Sequence, residues 1–384
     1  MRVLYFSWYE NCKDDTRAGF ANLGISVTLL AAAGVDYWHA PEVEEQIRIC
    51  LEQSPHDAIF TYDYFPFLSV LAAEYQIPYI SWVYDCPHYT LYAREVLLDC
   101  NHIFVFDQML RAQLEGLGAK HVYHMPLAVN GERLKKLTGE QSWDYRPQIS
   151  FVGSLYEQCM YNKINYLPDE LRGFLDALFA CQQRLWGHDF FAELLTPEKV
   201  EELGKYIKLP SDDRFMFHAQ TMFVDMLDEK MTSIDRIGAM QLLGAYFPVE
   251  LYSHSKLQFD GGVCCRGTVD YHTQMPLVFH DSSINLNLTL RSIVSGIPLR
   301  ALDIMGAGGF LLSNAQPELV EYFEPGEEIA VFYSPEEMLE LCDYYLDHEQ
   351  ERKRICEAGH EKVCREFSYE KQLGRIMDLT RGKG

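Results

Sequence analysis

The sequence predicts an α/β fold made of two successive units, each a parallel sheet flanked by helices, with a helical insertion in the second unit and a helical tail. Three observations carry this. Short runs rich in β-branched and aromatic residues alternate with helix-length amphipathic segments through the first third of the chain. A polar, turn-rich stretch at 126–144 then breaks the pattern. The alternation resumes at Gln148 and, after a long helical segment, continues to residue 332.

In the first third, residues 2–7, 25–30, 58–63, 79–85, 102–107 and 121–127 read as strands. Between them, 41–53, 66–75 and 108–117 read as helices, with Gly118 as a C-cap. Strand, helix, strand in repetition means parallel pairing with right-handed crossovers. Three strands end in aspartate, at Asp63, Asp85 and Asp107. Carboxyl ends of such strands border the ligand crevice, although aspartates in solvated turns have the same spacing.

The second unit opens with a strand at 148–152 that runs into Gly153-Ser154. Residues 161–244 have helical character throughout. Strands follow at 248–252, 284–288, 310–313 and 329–332, and 335–377 is helical and charged. The expected domains are 1–140 and 146–365, both Rossmann-like, with the insertion at about 161–244 and a tail at 366–384 packing back across them. Two such units joined by a linker make the architecture called GT-B, whose ligand sits between the units. There are no repeats and no low-complexity segments.

Composition narrows the partners. With 33 basic and 56 acidic residues the formal net charge is −23, which repels nucleic acid and anionic membrane surfaces. A small anion is still admissible, because helix N-termini and local arginines hold a diphosphate. No apolar run reaches the ~18 residues of a membrane span. The first seven residues enter a strand directly and do not read as a signal peptide. Eleven cysteines are scattered without CxxC spacing, as expected of thiols in a reducing cytoplasm.

The chemistry concentrates in 285–323. A strand ends at Asn285–Thr289, and the chain crosses a polar loop at Arg291–Ser295. The chain turns at Gly296-Ile297-Pro298 and starts a helix near Leu299 that carries Arg300 and Asp303. A glycine turn before a helix N-terminus presents free N–H groups and partial positive charge, which suits a diphosphate. Asp303 is placed to chelate ribose hydroxyls; Arg300 either pairs with it or reaches phosphate. A plain helix between two strands fits the same residues. The run Gly306-Ala307-Gly308-Gly309-Phe310 follows a helix and precedes a strand, the reverse of a dinucleotide fingerprint, so no NAD site is expected. Histidines show no HxxxH or HExxH spacing, and no metal site is expected either.

This stretch resembles the donor-binding part of the glycosyl transferase group 1 superfamily, and most of all the CgeB-like spore-maturation glycosyltransferases. The residues that carry the resemblance are Ser283-Ile284-Asn285-Leu286-Asn287, Arg291-Ser292-Ile293, Ser295-Gly296-Ile297-Pro298-Leu299-Arg300, Asp303 through Phe310, and Pro317-Glu318-Leu319. Phe151-Val152-Gly153-Ser154-Leu155-Tyr156 resembles the opening of the family's C-terminal domain. Trp82 through His88 resembles a loop of its N-terminal domain, and Pro126 through Asn130 its inter-domain segment. The resemblance implies a GT-B fold, a nucleotide-sugar donor on the second domain and an acceptor on the first. It implies no bound metal and no cofactor, the nucleotide sugar being a substrate. Donor contacts then fall on Gly153, Ser154, Asn285, Asn287, Arg291, Gly296, Ile297, Pro298, Arg300 and Asp303. One departure matters. Many relatives carry two glutamates eight positions apart, whereas here the second position is Asp303 and the first is Ser295, so that two-carboxylate scheme does not carry over whole.

Transfer to a hydroxyl asks for a base if the reaction inverts, and for a neutralised diphosphate in any case. Asp85, on a loop stiffened by Pro87, is the candidate base; His88 orients the acceptor or touches phosphate. Tyr62, Tyr64, Trp82, Tyr84 and Tyr89 offer sugar-stacking faces or core packing. The expected activity is transfer of a sugar to a polysaccharide, spore-coat glycan or glycoprotein by a cytoplasmic enzyme. A non-catalytic binder of sugar nucleotides and a nucleotide-sugar epimerase are the alternatives on the same fold.

Overall fold

A computed structural model describes residues 1–209, 214–216 and 219–382. The chain divides into two compact units. Among the described residues the first holds 1–128, 214–216 and 367–382, and the second holds the rest.

The first unit runs β1 (Arg2–Ser7), α1 (Lys13–Asn22), β2 (Ser26–Ala31), α2 (Pro41–Gln53), β3 (Ala58–Tyr62) and α3 (Pro66–Glu74). It continues with β4 (Tyr79–Val83), β5 (Asn101–Val105), α4 (Gln108–Gly116) and β6 (Val122–His124). All pairings are parallel, in the order β2-β1-β3-β4-β5-β6. Every residue of β3 and β4 is buried, as in sheets covered on both faces. Helix α2 shows how the cover is encoded: Pro41 sits in its first turn, and Val43, Ile47 and Leu51 bury one face at i, i+4, i+8. Gly118, at φ 99°, closes α4. Helix α1 is an addition to the expected elements; its sequence KDDTRAGFAN has little apolar content.

The second unit opens with α5 (Gly131–Glu140), which lies inside the stretch that reads as linker. Asn130 caps it, and Leu134 is its one buried residue. Strand β7 (Ile149–Val152) leads into the insertion: α6 (Asp169–Gln182), α7 (Phe190–Leu194), α8 (Pro197–Gly204) and the 26-residue α9 (Ala219–Gly244). The insertion has its own core, built on Leu171, Leu175, Phe179, Phe191 and Leu227. After it come β8 (Val249–Tyr252), β9 (Val263–Gly267), α10 (Met275–Asp281), β10 (Ile284–Asn287) and α11 (Leu299–Gly306). The last elements of the unit are β11 (Leu311–Asn314), α12 (Pro317–Tyr322), β12 (Ala330–Phe332), α13 (Pro335–Asp347) and α14 (Glu349–Glu366).

This sheet is also parallel, in the order β12-β11-β10-β7-β8-β9. The half-exposed edge strand β9 is the one strand that the sequence pattern does not reveal. Helix α15 (Tyr369–Thr380) returns to the first unit, capped by Ser368 and packed on α1. Among the described residues, no helix is long and apolar enough to cross a membrane.

Gly309 sets the spacing between α10, β10 and β11. A Cβ there would lie 2.4 Å from the Phe279 carbonyl and 2.7 Å from Asn285 Nδ2. Gly309→Ala is expected to destabilise the protein by ~1–3 kcal/mol in denaturant titrations. Gly139→Ala, where nothing lies within 4 Å, is expected to leave stability unchanged or slightly raised.

Candidate active site

In the first sheet the strand order reverses between β1 and β3, and open parallel sheets form their crevices beyond the carboxyl ends at such a point. Asp63 leaves β3 there with φ 58°, in the left-handed region that side chains seldom adopt. It is fully buried. Its Oδ1 accepts N–H bonds of 3.2 Å from Tyr84 and Asp85, and Oδ2 is buried without a hydrogen-bond partner. Because β4 pairs with β3, Asp85 arrives beside Asp63, and His88 follows on the next turn. One ligand atom from each of the three lies within 4.8 Å of the others, a spacing that one cation can bridge.

Burial pushes Asp63 up to about 7, against the pull of its two backbone N–H bonds. Burial of the Asp85 carboxyl, then the Asp63 charge beside it, pushes Asp85 up to about 6. Two carboxyls so placed do not both ionise readily, and near neutrality they share a proton. Burial lowers the His88 pKa and keeps the imidazole neutral. Its Nε2 lies 3.1 Å from the Tyr64 nitrogen, 3.2 Å from the Tyr64 carbonyl and 2.7 Å from Thr90 Oγ1, so the ring is fixed in orientation by three contacts.

Of the two roles open to the aromatic residues, core packing holds for three. Tyr62, Tyr64 and Trp82 are core residues. Tyr84 stacks on Trp8, with ring centroids 6.1 Å apart and planes 7° from parallel. Trp8 in turn donates Nε1–H to the Tyr62 carbonyl at 3.1 Å. The Tyr37 hydroxyl is pushed up to about 12 by burial and by the Asp63 and Asp85 charges. Trp8 and Tyr37 carry no local signal, since β1 and the loop before α2 bring them in from elsewhere in the chain. Asp107 is a helix cap, its Oδ1 accepting from Met109 N and Leu110 N at 2.7 and 3.0 Å.

In the second sheet the order reverses between β7 and β10. Arg236 of α9 spans that point. Its Nη1 donates to the Ser154 carbonyl at 2.7 Å, and its Nε and Nη2 donate to the Leu288 carbonyl at 3.1 and 2.6 Å. The guanidinium lies over the Phe151 and Tyr156 rings, 5.5 and 5.2 Å from their centroids. Burial, reinforced by the nearby positive Arg300, lowers its pKa to about 10, so it remains charged at neutral pH. The sequence reading did not find Arg236: it sits in the middle of a long helix with no motif around it.

Gly153 and Ser154 lie under this arginine, a Cβ on Gly153 being 3.7 Å from Nη1. Gly296, Ile297 and Pro298 are buried in the loop that enters α11. The first turn of α11 has no side-chain cap. Arg300, in that turn, donates to Met275 Sδ and lies over the Phe279 ring. Asp303 is buried, and its Oδ1 accepts from the Tyr271 hydroxyl at 3.2 Å. Ser295 donates its hydroxyl to Glu318 Oε1 at 2.7 Å, so a buried carboxylate from α12 stands beside the position where the sequence lacks one.

The remaining candidates are engaged elsewhere. Asn285 accepts from the Ser150 hydroxyl at 2.9 Å and donates to the Phe279 carbonyl at 2.9 Å. Asn287 donates to Thr289 Oγ1 and Ser313 Oγ. Both are strand residues whose amides tie the sheet together. Arg291 forms a buried 2.6 Å ion pair with Asp235, donates to the Leu185 carbonyl, and lies 3.3 Å from the Trp186 ring centroid.

Comparison with known proteins adds the following. Residues 225–378 match the family model described as glycosyl transferase-like, a stretch that contains Arg236, Arg300, Asp303 and Glu318. No curated protein matches the chain by sequence. Among solved structures, Anabaena HepE in complex with UDP and glucose is 8% identical over 100% of both chains, with a TM-score of 0.51. A sucrose-phosphate synthase from Thermosynechococcus elongatus is 12% identical over 100% of this chain and 98% of its own, also at 0.51. A glycosyltransferase from Rickettsia africae is 11% identical over 100% and 98%, at 0.50. The likeness to these structures shows a GT-B fold, and residues 225–378 are similar to the glycosyl transferase-like family.

The raised pKa of Asp63 has a consequence for stability. A carboxyl at 3.8 when unfolded and about 7 when folded contributes stability that is present below pH 4 and lost as pH rises through 7. Asp63→Asn keeps the acceptor for both N–H bonds and removes the titration. Its melting temperature relative to wild type is expected to climb by several degrees between pH 4 and pH 8. A difference that is flat with pH would refute the assignment.

Proposed function

We propose that this chain is a nucleotide-sugar-dependent glycosyltransferase whose donor diphosphate is held by the second unit and whose acceptor hydroxyl is activated by the first. The observation that carries the reading is Arg236, a charged guanidinium stationed across the strand-order reversal of a sheet whose sequence is glycosyl transferase-like. There it supports neutralisation of a leaving diphosphate, together with Arg300 and the uncapped N-terminus of α11. Asp303, held by Tyr271, is assigned to the ribose hydroxyls. Glu318 beside Ser295 is assigned to the donor's sugar or ribose, where relatives carry a glutamate in the loop itself.

On the first unit, Asp85 takes the acceptor proton as its hydroxyl attacks the anomeric carbon. A base with a pKa near 6 is suited to this task at neutral pH, because it is ionised yet basic enough to accept. Asp63 holds that pKa up, and neutral His88 orients the acceptor. The resemblance to CgeB-like enzymes favours a surface or spore glycan, or a glycoprotein, as acceptor. The test is release of UDP and free glucose from UDP-glucose without acceptor, in excess EDTA; UDP is the first nucleotide to try because HepE was captured with it. Binding without cleavage would indicate a sugar-nucleotide binder, and loss of turnover restored by manganese would indicate a metal at the carboxylate cluster.

Arg236→Ala and Asp303→Ala are each expected to weaken UDP binding by about ten- to a hundredfold in calorimetry, the value of charged hydrogen bonds. Unchanged affinity in both would place the diphosphate elsewhere. Asp85→Asn is expected to lower turnover by roughly 10²–10⁴-fold with UDP affinity unchanged. Wild-type turnover should fall as pH drops through about 6, the ionised form being the active one, and Asp63→Asn should move that limb to lower pH.

A further inference from the structure

The helical insertion carries a cavity that plays no part in the reading above. Its volume is about 620 Å³, inside the range of roughly 300–1,000 Å³ typical of small-ligand sites. Its floor is apolar, with the Tyr161 ring packed edge-on against Phe179 at 5.3 Å and 88°. Its rim carries Asn162, Arg172, Asp176 and Lys230.

The two cations are the notable feature in a chain of net charge −23. Lys230 Nζ donates to Asn162 Oδ1 at 2.7 Å and lies 5.6 Å from the Tyr161 ring centroid. The Asn162 amide is itself oriented by its bond to the Glu157 carbonyl at 3.0 Å. The ammonium is thus held by an amide and a ring, with donors to spare, and not by a carboxylate. Among the described residues, neither Lys230 nor Arg172 forms an ion pair, although Asp176 stands one helical turn from Arg172. Burial and Asp176 raise the Tyr161 pKa, which keeps its hydroxyl a donor.

We propose that this cavity binds an acidic sugar. The C–H face of a pyranose ring rests on Tyr161 and Phe179, its carboxylate lies between Arg172 and Lys230, and Asp176 with Asn162 takes its hydroxyls. Arginine suits a carboxylate because its planar fork matches both oxygens. Lys230 lies six residues before Arg236 on α9, about 9 Å along one rigid helix. The site stands on the insertion alone and does not need the transferase reading.

Calorimetry of the full chain with cellobiouronic acid and with cellobiose tests it. The acid is expected to bind about ten- to a hundredfold more tightly than the neutral disaccharide. Arg172→Gln should remove most of that difference, and Ala180→Trp, at an exposed position on the rim, should block both sugars. Saturating UDP should leave the acid's affinity unchanged, and UDP should bind both variants as it binds wild type. Equal or absent binding of the two sugars, no effect of Arg172→Gln, or displacement by UDP or inorganic phosphate would each overturn the proposal.

Discussion

A strand buried on both faces has no room for a charge along its length, so ionisable groups collect beyond its last paired residue. In both sheets charge gathers where strand order reverses and neighbouring crossovers diverge. The first unit places two carboxyls and a neutral imidazole there, and the second places a guanidinium bonded to two strand-end carbonyls. The signs are complementary in chemical terms. One set can take up a proton, and the other holds a positive charge.

These groups are maintained by their surroundings. Asp63 stands in a backbone region that costs of order 1–3 kcal/mol, and it has a buried oxygen without a partner. The hydroxyl of Ser81 holds its carbonyl at 2.8 Å, and the N–H groups of Tyr84 and Asp85 hold its Oδ1. Arg236 lies over two aromatic faces and keeps its charge despite partial burial. A site restrained in this way needs little rearrangement when charge develops.

How much of this was legible in the sequence follows from range. Strand β1 and helix α2 were readable to the residue, because each is specified by its own apolar pattern. Helices α1 and α5 were not: of the residues α1 buries only Phe20 is a large apolar one, and α5 buries Leu134 alone. The turn at Gly296–Pro298 and the helix bearing Arg300 and Asp303 were legible as a contiguous motif. Arg236, Trp8 and Tyr37 were not, because each reaches its place through the topology, and Glu318 was legible only as part of Pro317-Glu318-Leu319, without its place beside Ser295. A left-handed φ at an aspartate has no sequence signal, which is why Asp63 read as one strand end among three.

The last helix bears on how such a chain is made. Although α15 lies at the far end of the sequence, it packs on α1, where Gly19 leaves so little room that a Cβ would sit 2.8 Å from Leu373 Cδ1. Asn22 also donates to Glu370 at 2.7 Å. A ribosome extends a chain from its N-terminus, and domains generally fold in that order as they emerge. Here the first unit lacks one of its covering helices until the second has been synthesised in full. During that interval the nascent chain carries an uncovered face on α1.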